Sequence, residues 1–247
     1  MFGIRVRVVL IAVSFATQVV HAEKVLIPVA FGDAVPGAHG SLWTVELAGY
    51  NAADRYIQVK PYGNCAITCP APPAFANSMF SIWTYNPSPG PGWYLYVNDP
   101  EHELIFFNLR VRDISRQLET WGTEIPVVRE SEVASGRRIV LLGVPNAPEF
   151  RTTLRIYDLW SVIESSVRLL VYDEASGALL GDERVSLTDF GLARHVPTQA
   201  QRNDFSSAFP AARVRVEIVP ENPESKIWAF ISVTHDETQH VTTITPQ

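Results

Sequence analysis

Apolar and polar residues alternate one by one along much of this chain, and that period of two limits its fold more than any other feature. Val214, Val216 and Ile218 alternate with Arg213, Arg215 and Glu217. Phe107, Leu109 and Val111 alternate with Asn108, Arg110 and Arg112, and Ile57 and Val59 alternate with Gln58 and Lys60. Successive side chains of a strand point to opposite faces, so the pattern describes sheets with one buried and one wet face. Turn signals fall between the runs: in DEASGALL, Gly177 stands where a left-handed turn residue is needed, after Asp173 and Ser176. No amphipathic helix longer than two turns is legible, and the best candidate, 109–121, opens on residues that read better as strand. The expected fold class is all-β. A hydrophobic content of 47% is enough to fill a packed core.

The pattern runs twice. VLIPVAFGDAVPGAHGSLWTVELAGYN is answered from residue 124 by EIPVVRESEVASGRRIVLLGVPNAPEFRTTLRIYD. Both carry Ile-Pro-Val, an irregular spacer, an aromatic (Trp43, Phe150) and then alternating strand residues. The closings agree as well: NDPEHELIFFNLRVRD is similar to ENPESKIWAFISVTHD, and each leads into a return strand ending in Ile-(Thr)-Pro. Self-similarity of this kind predicts two copies of one β module, 23–128 and 129–247, after a leader at 1–22. In the second copy the strand candidates are 137–144, 151–160, 165–172, 178–186, 212–219, 227–234 and 239–245. Seven short strands with turns about every 8–12 residues is the count of an immunoglobulin-like β-sandwich. One large barrel is the alternative architecture.

The leader has the parts of a signal peptide: Arg5 and Arg7, an apolar run over 8–16 broken only by Ser14, and Val20-His21-Ala22 as a cleavage site. The run is shorter than the roughly 20 residues a membrane helix needs, so no membrane span is expected after cleavage. Loss of 1–22 removes two Arg and no acid, leaving 18 basic and 26 acidic residues. An acidic chain without a basic cluster is a poor match for nucleic acid or an anionic membrane surface. The expected location is secreted, periplasmic or cell surface. In such a compartment Cys65 and Cys69, in GNCAITCPAPP, are expected to pair with each other. So small a loop contributes only about 2 kcal/mol by chain entropy. The CxxxC spacing is neither a thioredoxin nor a haem motif, and no second Cys pair completes a zinc site.

With the leader, HGSLWTVELAGYN as a first strand pair, PTQAQRNDFSSAF as a mid-domain loop and IWAFISVTHDETQHVTTITP as a closing hairpin, the chain resembles a loose group of secreted bacterial proteins built from tandem immunoglobulin-like sandwiches. The resemblance covers most of the chain after the leader and implies architecture and an extracellular or surface location. That group carries no agreed activity, so no functional residue is carried over from it.

Catalytic motifs are scarce. Asp189-Phe190-Gly191-Leu192-Ala193-Arg194 spells a protein-kinase magnesium loop, yet no GxGxxG, no VAIK-type lysine and no HRD string accompanies it. The only Ala-Pro-Glu, 147–149, precedes the string when it should follow, and the match is read as chance. HELIF at 102–106 departs from HExxH at its last position, Phe106. No GxSxG elbow occurs. His235 and His240 bracket a hairpin tip and are weak metal candidates, since two imidazoles with Asp236 or Glu237 make a thin ligand set. Asp173-Glu174 and Asp182-Glu183 end one hairpin and read as solvated turn acids. The aromatics of 64–96, above all Trp83, Tyr85, Trp93 and Tyr94, suit flat contact with a sugar or a protein, with Tyr85 and Tyr94 expected to be the exposed members. The alternative places Trp83, Trp93 and Tyr96 inside the first sandwich.

The sequence therefore predicts a non-catalytic binding or structural module that contacts an extracellular protein or glycan through loops, without cofactor or metal. The alternative is an extracellular hydrolase with a dispersed carboxylate site, using acids such as Asp173 or Glu183.

Overall fold

The computed structural model describes residues 22–31, 33–61, 73–81, 92–116, 122–160, 164–188 and 198–247. Cys65, Cys69, Trp83, Tyr85, the 189–194 string and residues 1–21 of the leader lie outside them. Among the described residues every regular element is a strand, apart from four three-residue 3-10 turns. None of these helices is long and apolar enough to cross a membrane.

The first half contributes β1 (Glu23–Ile27), β2 (Val35–Pro36), β3 (Leu42–Asn51), β4 (Ile57–Pro61), β5 (Pro73–Ala74), β6 (Ser78–Ser81), β7 (Trp93–Val97), β8 (Ile105–Asp113), β9 (Thr123–Ile125) and β10 (Val128–Arg129). They form two antiparallel sheets, ordered β10-β1-β7-β4-β5 and β2-β3-β8-β9, with β6 added to β3. Alternation places Ile57, Val59, Leu95, Val97 and Leu109 between the sheets, all with no exposed surface.

The second half contributes β11 (Ile139–Pro145), β12 (Phe150–Asp158), β13 (Glu164–Asp173), β14 (Leu179–Thr188), β15 (Thr198–Asn203), β16 (Arg213–Pro220), β17 (Ile227–His235) and β18 (Val241–Ile244). These form one sheet in the order β11-β16-β13-β14-β15-β12-β17-β18. It curls towards a barrel, because the Gln247 amide donates to Val140 O at 3.2 Å across the gap between its two ends. The link between β14 and β15 is a single aligned pair, Thr188 with Gln199. Gly177 closes the β13–β14 hairpin at φ 73°, with its amide donating to Asp173 O at 2.8 Å.

One segment departs from expectation. PTQAQRNDFSSAF, read as a mid-domain loop, contains β15, which pairs with β12 from Thr153–Asn203 to Asp158–Thr198. Thr198 and Gln199 are buried although polar, so the strand lacks the apolar alternation by which the others announce themselves.

β12 and β17 behave differently from one-faced strands. Leu154, Ile156, Ala229 and Ile231 point into the second half's own core. On the opposite face Tyr157, Trp228 and Phe230 join the core of the first half, together with Leu159. Burial on both faces explains the unbroken apolar stretch Ile227–Ile231 where alternation would be expected. The two halves therefore share apolar packing, and a side chain such as Phe230 contributes about 1.5–3 kcal/mol to it.

Candidate functional site

The outer face of β12 and β17 changes character along its length. At one end Tyr157, Trp228 and Phe230 seal against the first half. The Tyr157 hydroxyl donates to Pro28 O at 2.6 Å, and burial pushes its pKa well above the ordinary tyrosine value. The Tyr94 hydroxyl donates to Asp158 O at 3.1 Å, Lys24 Nζ to Leu159 O at 2.5 Å, and the Gly92 amide to Gln199 Oε1 at 3.1 Å. Gly92 is required there: a Cβ would lie 2.8 Å from the Tyr157 ring. Lys24 and Lys226 both pair with Glu130, at 3.1 and 3.5 Å.

At the other end the same face turns polar. Arg151, Thr153 and Arg155 succeed one another on β12, flanked by Gln201 on β15 and by Ser232 and Thr234 on β17. A cleft of about 280 Å³ lies between these groups and the first half. Its opposite wall is apolar, formed by Val29, Phe31, Val35, Trp43, Val111 and Ile125. A mostly apolar concavity with a few convergent polar groups is the usual form of a small-molecule site.

The two arginines differ. Arg151 is neutralised: its Nε donates to Asp236 and its Nη2 to Gln239 Oε1 at 2.8 Å. Arg155 meets no carboxylate among the described residues. Its Nη1 donates to Ser232 Oγ at 3.1 Å, the guanidinium lies 5.6 Å from the centre of the Phe230 ring, and its Nε is buried without a hydrogen-bond partner. Burial pushes its pKa below the ordinary arginine value, yet a guanidinium stays charged throughout the physiological range. The cleft therefore holds a cation that no carboxylate among the described residues neutralises. In a low-dielectric setting such a group favours a planar, bidentate anion such as a carboxylate.

The residues singled out from sequence lie elsewhere. Tyr94 is 2% exposed, which corrects the expectation of an exposed side chain: its ring packs in the first core and its hydroxyl reaches the second half. Trp93 is half-buried against the same core, with its indole N–H buried and unpaired. His235 stacks edge-on against Phe150 at 5.3 Å between ring centres, and its Nδ1 accepts from the Thr238 amide at 3.3 Å. Its backbone amide donates to His240 O at 3.0 Å across the turn. No group of three His, Cys, Asp or Glu that could hold a metal occurs among the described residues.

The hairpin acids are each engaged. Asp173 accepts from the Ala175 amide and Ser176 Oγ, and these bonds, that of Ser176 first, hold its pKa below the usual range. Asp182 takes two hydrogen bonds from Arg168, at 2.7 and 2.5 Å, Glu183 pairs with Arg202 at 3.0 Å, and Glu174 accepts from the Gly143 amide at 2.9 Å. None of the four lines the cleft.

Sequence reasoning did not find the Arg155 cleft. The available signal was the loss of alternation at Ile156–Asp158 and Ile227–Ile231, which marks strands covered on both faces. No protein-family model matches the sequence, and no curated protein or solved structure matches the chain.

Proposed function

We propose that this protein is an exported, non-catalytic binding module whose two halves are copies of one β unit, and that it holds a small anionic ligand in the cleft between them. Arg155 carries the reading: it is a half-buried cation that meets no carboxylate among the described residues and is placed against an apolar wall. A ligand with a carboxylate and an apolar body matches both sides of the cleft. The test is calorimetric titration with a series of small carboxylic acids, aliphatic and aromatic, in parallel with their amides. Acids that bind while their amides do not, with binding lost in Arg155→Gln, are expected. Equal binding of acid and amide, or of Arg155→Gln and wild type, would refute it.

Strand pairing supports the duplication. The order β1-β7-β4-β5 repeats as β11-β16-β13-β14, and β6-β3-β8-β9 repeats as β15-β12-β17-β18. Registers agree residue for residue: Trp43–Asp113 to Asn51–Ile105 corresponds to Phe150–His235 to Asp158–Ile227. Leu109–Ile125 likewise corresponds to Ile231–Ile244. Asn51 and Asp158 also share a role, each accepting at Oδ1 from the amide two residues on, Ala53 or Trp160, at 2.9 Å. The pairings β12·β15 and β13·β16 are those of central strands in an immunoglobulin-like sandwich, whereas β14, paired with both β13 and β15, joins its two sheets into one. The outer strands depart from it, since β11 lies beside β16 and β17 beside β12.

Contact with a protein or glycan at a surface is a second reading, favoured by the exposed Tyr56 and Phe75, whose rings lie 6.2 Å apart. The hydrolase reading draws no support from Asp173 or Glu183, since each is tied to its own partner.

A further inference from the structure

We infer that copies of this chain associate head to tail, the β6·β3·β8 face of the first unit docking on the exposed side of β11·β16 in the next copy. The inference rests on the duplication and is independent of any ligand in the cleft.

In the second unit Tyr157 sits between Gln199 of β15 and Trp228 of β17. The two aromatics of that row are buried against the first unit, Tyr157 at 0% and Trp228 at 8% exposure. The same register in the first unit places Tyr50 between Met79 of β6 and Phe106 of β8. The central tyrosine is retained and an aromatic again stands on its closing-strand side, but this row is uncovered: Tyr50 is 36%, Phe106 55% and Met79 68% exposed. Three large apolar side chains abreast on neighbouring strands make a contiguous patch, and such patches mark interaction surfaces.

The covered row shows what such a surface accepts. Its partner is the β1·β7 pair, through Lys24, Pro28, Gly92 and Tyr94. The counterpart of β1·β7 in the second unit is β11·β16. That pair carries Leu142, 44% exposed, and nearby Arg215 lies over the Tyr172 ring at 4.4 Å. Each chain thus presents an unused donor row on its first unit and an unused acceptor side on its second. Because the two surfaces differ, the contact is heterologous and adds copies in one direction.

Sedimentation velocity across a concentration series tests this with Phe106→Lys and Leu142→Lys. Wild type is expected to grow in mean mass as concentration rises, and each variant alone to stay monomeric. Mixing the two leaves one intact donor row and one intact acceptor side, and is expected to give a one-to-one pair of twice the mass and nothing larger. A wild type that is monomeric at every concentration overturns the inference. So does a Leu142→Lys chain that still associates while Phe106→Lys does not, because that is a symmetric contact through the aromatic row alone. Thermal melts check that each variant is folded, and Phe106→Gln or Leu142→Gln replaces one that is not.

Discussion

Replacing Arg155 with methionine should stabilise the unliganded protein while abolishing its response to anions. Four terms set the sign. The buried Nε–H lacks a partner, and an unsatisfied buried donor costs about 1–3 kcal/mol, more when charged. Against this, the mutation removes the hydrogen bond to Ser232, worth about 1.5–3 kcal/mol for a charged donor. It also removes the contact with Phe230, worth about 0.5–2 kcal/mol, although the methionine thioether regains part of that against the ring. Relief of desolvating the rest of the guanidinium, which meets no carboxylate among the described residues, adds to the favourable side, since apolar replacement of buried charges often stabilises by about 1–4 kcal/mol. The net expectation is a gain of about 1 kcal/mol, or roughly 2–4 °C in Tm for a chain of this size. Differential scanning calorimetry in a buffer free of small carboxylates measures it, with the titration repeated in acetate and benzoate. If Arg155→Met unfolds more easily by about 2 kcal/mol or more, the guanidinium is a structural anchor of the junction, and the argument for a ligand in the cleft fails.

Three further outcomes follow, two from the junction and one from the Arg55–Asp99 ion pair. Tyr157→Phe leaves the buried Pro28 carbonyl short of its hydrogen bond and should cost about 1–3 kcal/mol. Because the first core continues through Tyr157, Leu159, Trp228 and Phe230, urea unfolding should remain a single transition, and two separated transitions would show that the halves are independent. Asp99 accepts two hydrogen bonds from Arg55, both 2.6 Å, and these, outweighing burial, hold its pKa below the usual carboxylate value. A folded-state pKa depressed in this way stabilises above the unfolded value of about 3.9 and is lost as pH falls through the folded value. Urea midpoints should therefore drop more steeply on acidification in wild type than in Asp99→Asn, and parallel curves would exclude Asp99 as a contributor.

The strands that alternate cleanly were legible one by one. Expected segments at 137–144, 165–172 and 212–219 meet Ile139–Pro145, Glu164–Asp173 and Arg213–Pro220 within two residues or fewer at each end. Gly177 was legible as a turn residue because only its φ of 73° satisfies the hairpin there. β15 was not, because Thr-Gln-Ala-Gln-Arg-Asn owes its strand to the ladder with β12 and not to a pattern of its own. Tyr94 was misplaced for a related reason. An aromatic on the outward side of a strand is expected to meet solvent, and here the second half of the chain covers it.

The sequence by itself determined the all-β class, because a period of two in side-chain polarity can bury its apolar members only in sheets. Only the tertiary structure decided which outward faces stay wet. Tyr50 pairs with Phe106 and Tyr157 with Trp228, each across two antiparallel strands, yet one tyrosine is exposed and the other sealed, because that outcome depends on what lies across the face and not on the residue. Arg155 belongs to the same category. On its own strand it reads as an ordinary outward arginine, and it becomes a half-buried charge, facing no carboxylate among the described residues, only because the first half roofs the space above it.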